Sequence, residues 1–235
     1  MAHELVKSTL ACLGKFVLYI IPCVIVLLAV YKFSNVPKHV FRKLLHLVAF
    51  TCVTVMILVA ECWQAAVLAS VVIIVVVYPI LSWLESKSWF AGLFVQKSKG
   101  EIKRSLIMLF AMFALLTAVA WGIFNKPYAC AAAILMWGTG DAAAALIGIP
   151  FGKHKVISKF TDGKKSYEGS FAMFIVSTMC GFFFLLLYCQ FNIGTVAVAS
   201  LTAGIAGAFI ELISPSEYDT ITVPSVILAI LLLIV

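Results

Sequence analysis

Residues 137–170 read WGTGDAAAALIGIPFGKHKVISKFTDGKKSYEGS, and the rest of the chain is best understood outward from them. The stretch opens as an apolar helix of small residues, among them Gly138, Gly140, Ala142, Ala145 and Gly148, with one carboxylate, Asp141, set inside it. A loop with five lysines follows (Lys153, Lys155, Lys159, Lys164 and Lys165), and Lys165-Ser166-Tyr167-Glu168-Gly169-Ser170 leads into the next apolar run. A carboxylate inside a membrane-spanning helix costs about 3 kcal/mol on insertion scales, so by default it marks a functional site. The bland alternative for Asp141 is a neutral carboxylic acid bonded to a neighbouring helix.

Of the 235 residues, 64% are hydrophobic and 11% charged, which excludes an ordinary water-soluble domain. The fold expected is all-α: a polytopic membrane bundle of about seven or eight transmembrane helices, forming a single membrane-embedded domain over 1–235. Apolar runs lie at about 16–30, 44–60, 64–81, 105–124, 128–150, 170–189, 195–213 and 223–235. The first could pass for a signal peptide, but no small-residue cleavage site follows it, and it reads as a retained span. The last is short for a full crossing at 1.5 Å per residue, which leaves its depth open. The seven cysteines stand singly, without metal-ligand spacing, and read as reduced packing residues.

Of the 17 Lys and Arg, the loops 31–43, 83–104 and 151–168 hold four, five and five. The intervening loops are nearly uncharged. The positive-inside rule puts the basic loops in the cytosol and the N-terminus outside, which explains the net charge of +7 without nucleic acid. Within 83–104, Trp83, Trp89, Phe90, Leu93 and Phe94 mixed with lysines suit a helix lying in the cytosolic interface.

Several polar groups then face the cytosol. Arg42, Lys43 and His46 share one helix face and suit phosphates, although spacing alone favours snorkelling anchors and a core histidine. Glu211 follows Gly204, Gly207 and Ala208 on a second small-faced helix, which invites packing against the Asp141 helix so that Asp141 and Glu211 share a cavity. Hard oxygen ligands there would suit Mg²⁺ or another divalent cation bound with nucleotide phosphates. Lys153, Lys155, Lys164 and Lys165 can neutralise a polyphosphate, the Ser166 hydroxyl can donate to it, and Ser170 with the adjoining amides opens a helix N-terminus. Topology alone also demands basic loops, so each lysine has an equally good reading as a solvated charge.

The sequence RKLLH, then GTGDAAAALIG with FGKHK, then KKSYEGS, then AFIE followed by Asp219 and Pro224, resembles the CTP-dependent lipid kinases, which include dolichol, phytol and CTP-dependent diacylglycerol kinases. The resemblance covers about 40–224. It implies transfer of the γ-phosphate of CTP to the hydroxyl of a membrane lipid alcohol, in a bacterial cytoplasmic membrane or an ER-type membrane, with the site facing the cytosol. It associates Asp141, Gly140, Lys165, Ser166, Glu168 and Ser170 with nucleotide and metal, and Arg42, Lys43 and His46 with a further motif. Asp141 with Glu168 or Glu211 is then expected to hold the metal, and Arg42, Lys43, Lys164 and Lys165 the triphosphate. Asp219 or His46 is expected to orient or deprotonate the hydroxyl. Where the family often has Asp-Asn before its late proline, this chain has Asp219-Thr220. The rival reading is a CDP-diacylglycerol synthase, which transfers the cytidylyl group to phosphatidate. An ion-coupled transporter using Asp141 and Glu211 is the reading from another class.

Overall fold

The computed structural model describes residues 2–34, 36–85, 100–156, 163, 165–215 and 218–235. Within them the α-helices are, in chain order, α1 (Ala2–Phe33), α2 (Lys38–Val59), α3 (Trp63–Leu84), α4 (Glu101–Thr117), α5 (Pro127–Phe151), α6 (Tyr167–Tyr188), α7 (Ile193–Ile213) and α8 (Asp219–Ile234). Helix α4 continues as a π-helical stretch, Ala118–Ile123. Among the described residues seven segments are long and apolar enough to cross a membrane, with mean hydropathy between 1.5 and 2.6. At 1.5 Å per residue the 22-residue helices α2, α3 and α6 reach about 33 Å, just over the hydrocarbon thickness. The chain is an all-helical, multi-pass membrane protein. Leu18, Phe33, Leu187 and Leu233 are each more than three-quarters exposed, as lipid-facing side chains are.

Most expected spans hold to within a few residues, but the first two helices start earlier. Helix α1 begins at Ala2 and runs for 32 residues, so Lys7 and Lys15 are helical. Lys15 Nζ donates to Val59 O at 3.2 Å, which satisfies a carbonyl at the C-terminal end of α2. Helix α2 starts at Lys38, directly after Pro37, whose fixed φ suits a helix entry. Arg42, Lys43 and His46 therefore lie within its first three turns, half-buried and on one face.

The chain divides into two compact units, Met1–Ala118 and Val119–Val235. In the first, α1 packs on α2 and α3, and α3 on α4. Its core is aromatic: Phe16–Phe110, Phe110–Phe113 and Phe50–Phe113 meet edge to face at 6.1, 5.4 and 5.4 Å. Lys103 Nζ pairs with Glu85 Oε2 at 3.3 Å, joining the end of α3 to the start of α4. The expected interfacial helix falls mainly on 86–99, outside the described residues.

In the second unit α5 packs on α6 and α8, and α7 packs on α6 and α8, closing a ring in which α5 and α7 scarcely touch. The expectation that α5 and α7 pack through their small faces is therefore corrected. Helix α5 spends its small residues on α6 instead. A Cβ at Gly140 would overlap Ser177 Oγ and come within 2.9 Å of Met173 Cγ, and one at Gly148 would lie 3.3 Å from Gly169 Cα. Reciprocally, a Cβ at Gly181 on α6 would meet Met136 Sδ at 2.5 Å, and one at Gly169 would meet Ala144 O at 2.9 Å. Small residues or methionine knobs recur every fourth position on both helices, which brings the backbones together and lets Ser177 Oγ donate to Met136 O at 2.8 Å. Gly204 and Gly207 of α7 face Thr178 of α6 and Ile227 of α8.

The depth of the last helix is now explained. At its start Asp219 Oδ2 accepts from Lys165 Nζ at 3.4 Å, and near its end Leu232 O accepts from Lys126 Nζ at 2.8 Å. Lys126 precedes α5 and Lys165 precedes the antiparallel α6, so these ties sit at opposite ends of the ring. Helix α8 runs its full height, although 16 residues reach only about 24 Å.

Gly140→Val is expected to destabilise the protein by about 1–3 kcal/mol, seen as a lower melting temperature in detergent, because α6 leaves no room for the side chain. Gly14→Ala, where nothing lies within 4 Å, is expected to be neutral or stabilising. Single cysteines replacing Lys126 and Lys153 should label from opposite sides of the membrane.

Candidate active site

The polar residues of the second unit gather at one end of the ring, beginning where α5 stops. Pro150 sits in its last turn, Gly152 N donates to Gly148 O at 3.2 Å, and Lys155 Nζ reaches the same carbonyl at 3.4 Å. The chain then doubles back. Val156 N donates to Lys165 O at 3.0 Å and Tyr167 N to His154 O at 3.1 Å, an antiparallel bridge that clasps the base of the lysine loop. Glu168 closes this clasp: it accepts from His154 N at 3.2 and 3.3 Å, and its Oε1 lies 2.6 Å from His154 Nδ1. Lys153 and Lys155 are exposed beside it, Gly163 is left-handed at φ +69°, and Lys164 lies outside the described residues.

Ser166 is the N-cap of α6. Its Oγ accepts from Gly169 N at 3.2 Å and is buried against Gly152, where a Cβ would lie 2.5 Å away. A glycine at 152 is what lets the cap and the end of α5 meet. The hydroxyl expected to address phosphate thus works in the helix start.

Lys165 turns inward and is only 8% exposed. Its ammonium lies 2.5 Å from Glu211 O, 3.3 Å from Glu211 Oε1 and 3.4 Å from Asp219 Oδ2. Ser170 Oγ donates to Glu211 Oε2 at 2.9 Å. One ammonium therefore stands between carboxylates from the end of α7 and the start of α8, with a hydroxyl from the first turn of α6 behind them. Ser214 Oγ and Thr222 Oγ1, 2.9 Å apart, tie the corner between α7 and α8. Side-chain exposure rises along the chain of contacts, from 7% at Lys165 through 13% at Glu211 to 26% at Asp219. Asp219 stands at the mouth of the cluster.

Asp141 is half-buried on α5, beside Gly140 and one turn deeper than Ala144, whose carbonyl meets Gly169 at the start of α6. Gly140 itself is occupied by the packing of Met173 and Ser177. Arg42, Lys43 and His46 belong to α2 in the first unit. Of the three carboxylates expected to bind a divalent cation, two are otherwise engaged: both oxygens of Glu168 face His154, and those of Glu211 face Lys165 and Ser170. Among the described residues no group of three or more His, Cys, Asp and Glu side chains could hold a metal ion. Glu168 and Glu211 as arranged do not fit a protein-built metal site.

The polar cluster at the end of an all-helical membrane ring agrees with the kinship of the sequence. A sequence model of the cytidylyltransferase family matches residues 4–214. The chain belongs to the cytidylyltransferase family. The match runs through both units and includes every residue of the cluster except Asp219. A relative, the phytol kinase of Synechocystis sp., is 28% identical over 200 residues, covering 82% of this chain and 78% of its own. No solved structure matches the chain. The resemblance drawn from the motifs is borne out at the level of a CTP-using family with a lipid kinase among its relatives.

Two features went unread in the sequence. The clasp of His154 on Glu168 joins residues 14 apart, and a histidine and a glutamate flanking a basic loop are its one trace in the sequence. The stripe Gly140, Ala144, Gly148 and Gly152 shares Gly140 and Gly148 with the small residues that stand out in the sequence, but its four-residue period goes unnoticed among the neighbouring alanines. Glu168→Ala is expected to raise the hydrogen-exchange rates of the His154, Val156 and Tyr167 amides at least several-fold, because the clasp loses its acceptor.

Proposed function

We propose that the protein is a CTP-dependent kinase of a membrane lipid alcohol, acting at the polar end of its second unit. The supporting observation is the group Lys165–Glu211–Asp219–Ser170, gathered from three helices and the basic clasp. Phosphoryl transfer demands little covalent chemistry from the protein beyond in-line positioning and neutralisation of charge. Lys153, exposed on the clasp, serves the triphosphate as a point charge, and Lys164 takes the same role on its sequence position alone. Asp219, the most exposed member of the cluster, accepts the proton of the lipid hydroxyl. The hydroxyl oxygen attacks the γ-phosphorus, the bond from that phosphorus to the bridging oxygen breaks, and CDP departs with the electron pair. The acceptor belongs to the class of long-chain alcohols, with phytol, polyprenol and diacylglycerol as candidates. Asp141, one turn deeper on α5, is assigned to holding the nucleotide end of the site in register.

The family description favours one second reading, transfer of the cytidylyl group to phosphatidate with release of pyrophosphate. The two part on which phosphorus is attacked. Purified protein given γ-labelled or α-labelled CTP with Mg²⁺ and a mixture of phytol, polyprenol, diacylglycerol and phosphatidate separates them. Label entering lipid from the γ position, with CDP released, is expected. Label from the α position establishes the cytidylyltransferase instead. Asp219→Asn is expected to lower kcat by about 10²–10⁴-fold, as loss of a general base does. Asp141→Asn is expected to lose most activity at saturating CTP, and full retention would remove it from the site.

A further inference from the structure

Lys165 carries a basic side chain in a phosphate-seeking loop, yet its geometry serves another purpose. An ammonium has three N–H donors. The ammonium hydrogen-bonds the Glu211 carbonyl at 2.5 Å and Asp219 Oδ2 at 3.4 Å, and pairs with Glu211 Oε1 at 3.3 Å. With its side chain 7% exposed and its ammonium turned to these groups, Lys165 has no open face for a phosphate. Lys153, exposed on the same clasp, has one. The Lys165 backbone is fixed as well, since its carbonyl accepts from Val156 N at 3.0 Å and the next residue caps α6.

We infer that Lys165 is a positioning residue rather than a phosphate ligand, and that with Glu211 it forms a buried pair which holds Asp219 in place against the lipid hydroxyl. This rests on the kinase reading of Asp219. Glu211 is the fixed side of the pair, held by Ser170 from α6, and Asp219 is the presented side. Without the ammonium, the carboxylates of α7 and α8 face each other uncompensated in a poorly solvated site and move apart. The start of α8 then loses its tie to α6, and the proton acceptor loses its place.

Steady-state kinetics of lipid labelling from CTP distinguish the two roles. For Lys165→Met the expected result is a kcat lower by about 10²-fold with KM for CTP within about threefold of the wild type. Glu211→Gln, which keeps volume and hydrogen bonding, is expected to show the same split more mildly. The double variant should be little worse than Lys165→Met alone, because the residues act as a unit, whereas independent roles would multiply. A KM for CTP raised about tenfold or more with kcat preserved would make Lys165 a phosphate ligand and overturn the inference. Should Lys165→Met fail to fold, Glu211→Gln decides, and wild-type kcat in that variant also overturns it.

A measurement without turnover separates this inference from the kinase reading. Acetic anhydride labelling of the wild-type protein, read by mass spectrometry, should modify Lys165 at least about tenfold more slowly than Lys153, with or without CTP, since access requires local opening. Lys165 labelling as fast as Lys153 in the absence of CTP, and protected when CTP is added, overturns the inference whatever reaction the protein performs.

Discussion

The contact of α5 with α6 is close to backbone on backbone where α6 begins, and the placement of the clasp and of Lys165 depends on it. Gly140, Gly148 and Gly152 on one side and Gly169 and Gly181 on the other each stand where a Cβ would meet its neighbour at 3.3 Å or less. Such proximity is what dispersion and interhelical hydrogen bonds require in a bilayer, where lipid tails compete equally for apolar side chains. Because Ser166 must seat its hydroxyl between Gly152 and Gly169, the clasp of the lysine loop has one register. That register delivers Lys165 to α7 and α8.

Electrostatics then divides the second unit by depth. Along its lipid-facing length the ring is apolar, with carboxylate and ammonium groups concentrated at one end and a single lysine, Lys126, tied to Leu232 O at the other. A buried charge persists only with compensation, and here the compensation is shared among three helices. Lys165 satisfies a helix-end carbonyl and two carboxylates at once. The gradient of exposure from Lys165 to Asp219 leaves one carboxylate nearest the solvent while its supports stay inside. Exposed lysines of the clasp stand on the side from which a polyanion would arrive.

Much of this architecture was legible as pattern. Composition and run length identify the membrane class and the spans, and a small-residue helix followed by a basic loop marks the end at which the polar cluster gathers. The starts of α1 and α2 were misjudged because hydropathy falls at Lys7, Lys15 and Lys38, whereas the helical backbone needs only its own hydrogen bonds, and a lysine such as Lys15 can find a carbonyl on the next helix. Partner choice was also illegible. Periodicity shows that α5 and α7 each have a small face but not which helix fills it, and α6, with its own stripe at Gly169, Met173, Ser177 and Gly181, was the better match for α5. The ties from Lys165 to Glu211 and Asp219 cross 46 and 54 residues, and no local spacing encodes them.

Photo-crosslinking with a CTP analogue carrying an azidoanilide on its γ-phosphate tests most directly the claim that the polar end of the second unit receives the nucleotide. The account predicts that the label falls on peptides within 151–170 or 211–222 and is displaced by unlabelled CTP. Displaceable label confined to the opposite end, at 124–128 or 189–193, would contradict it.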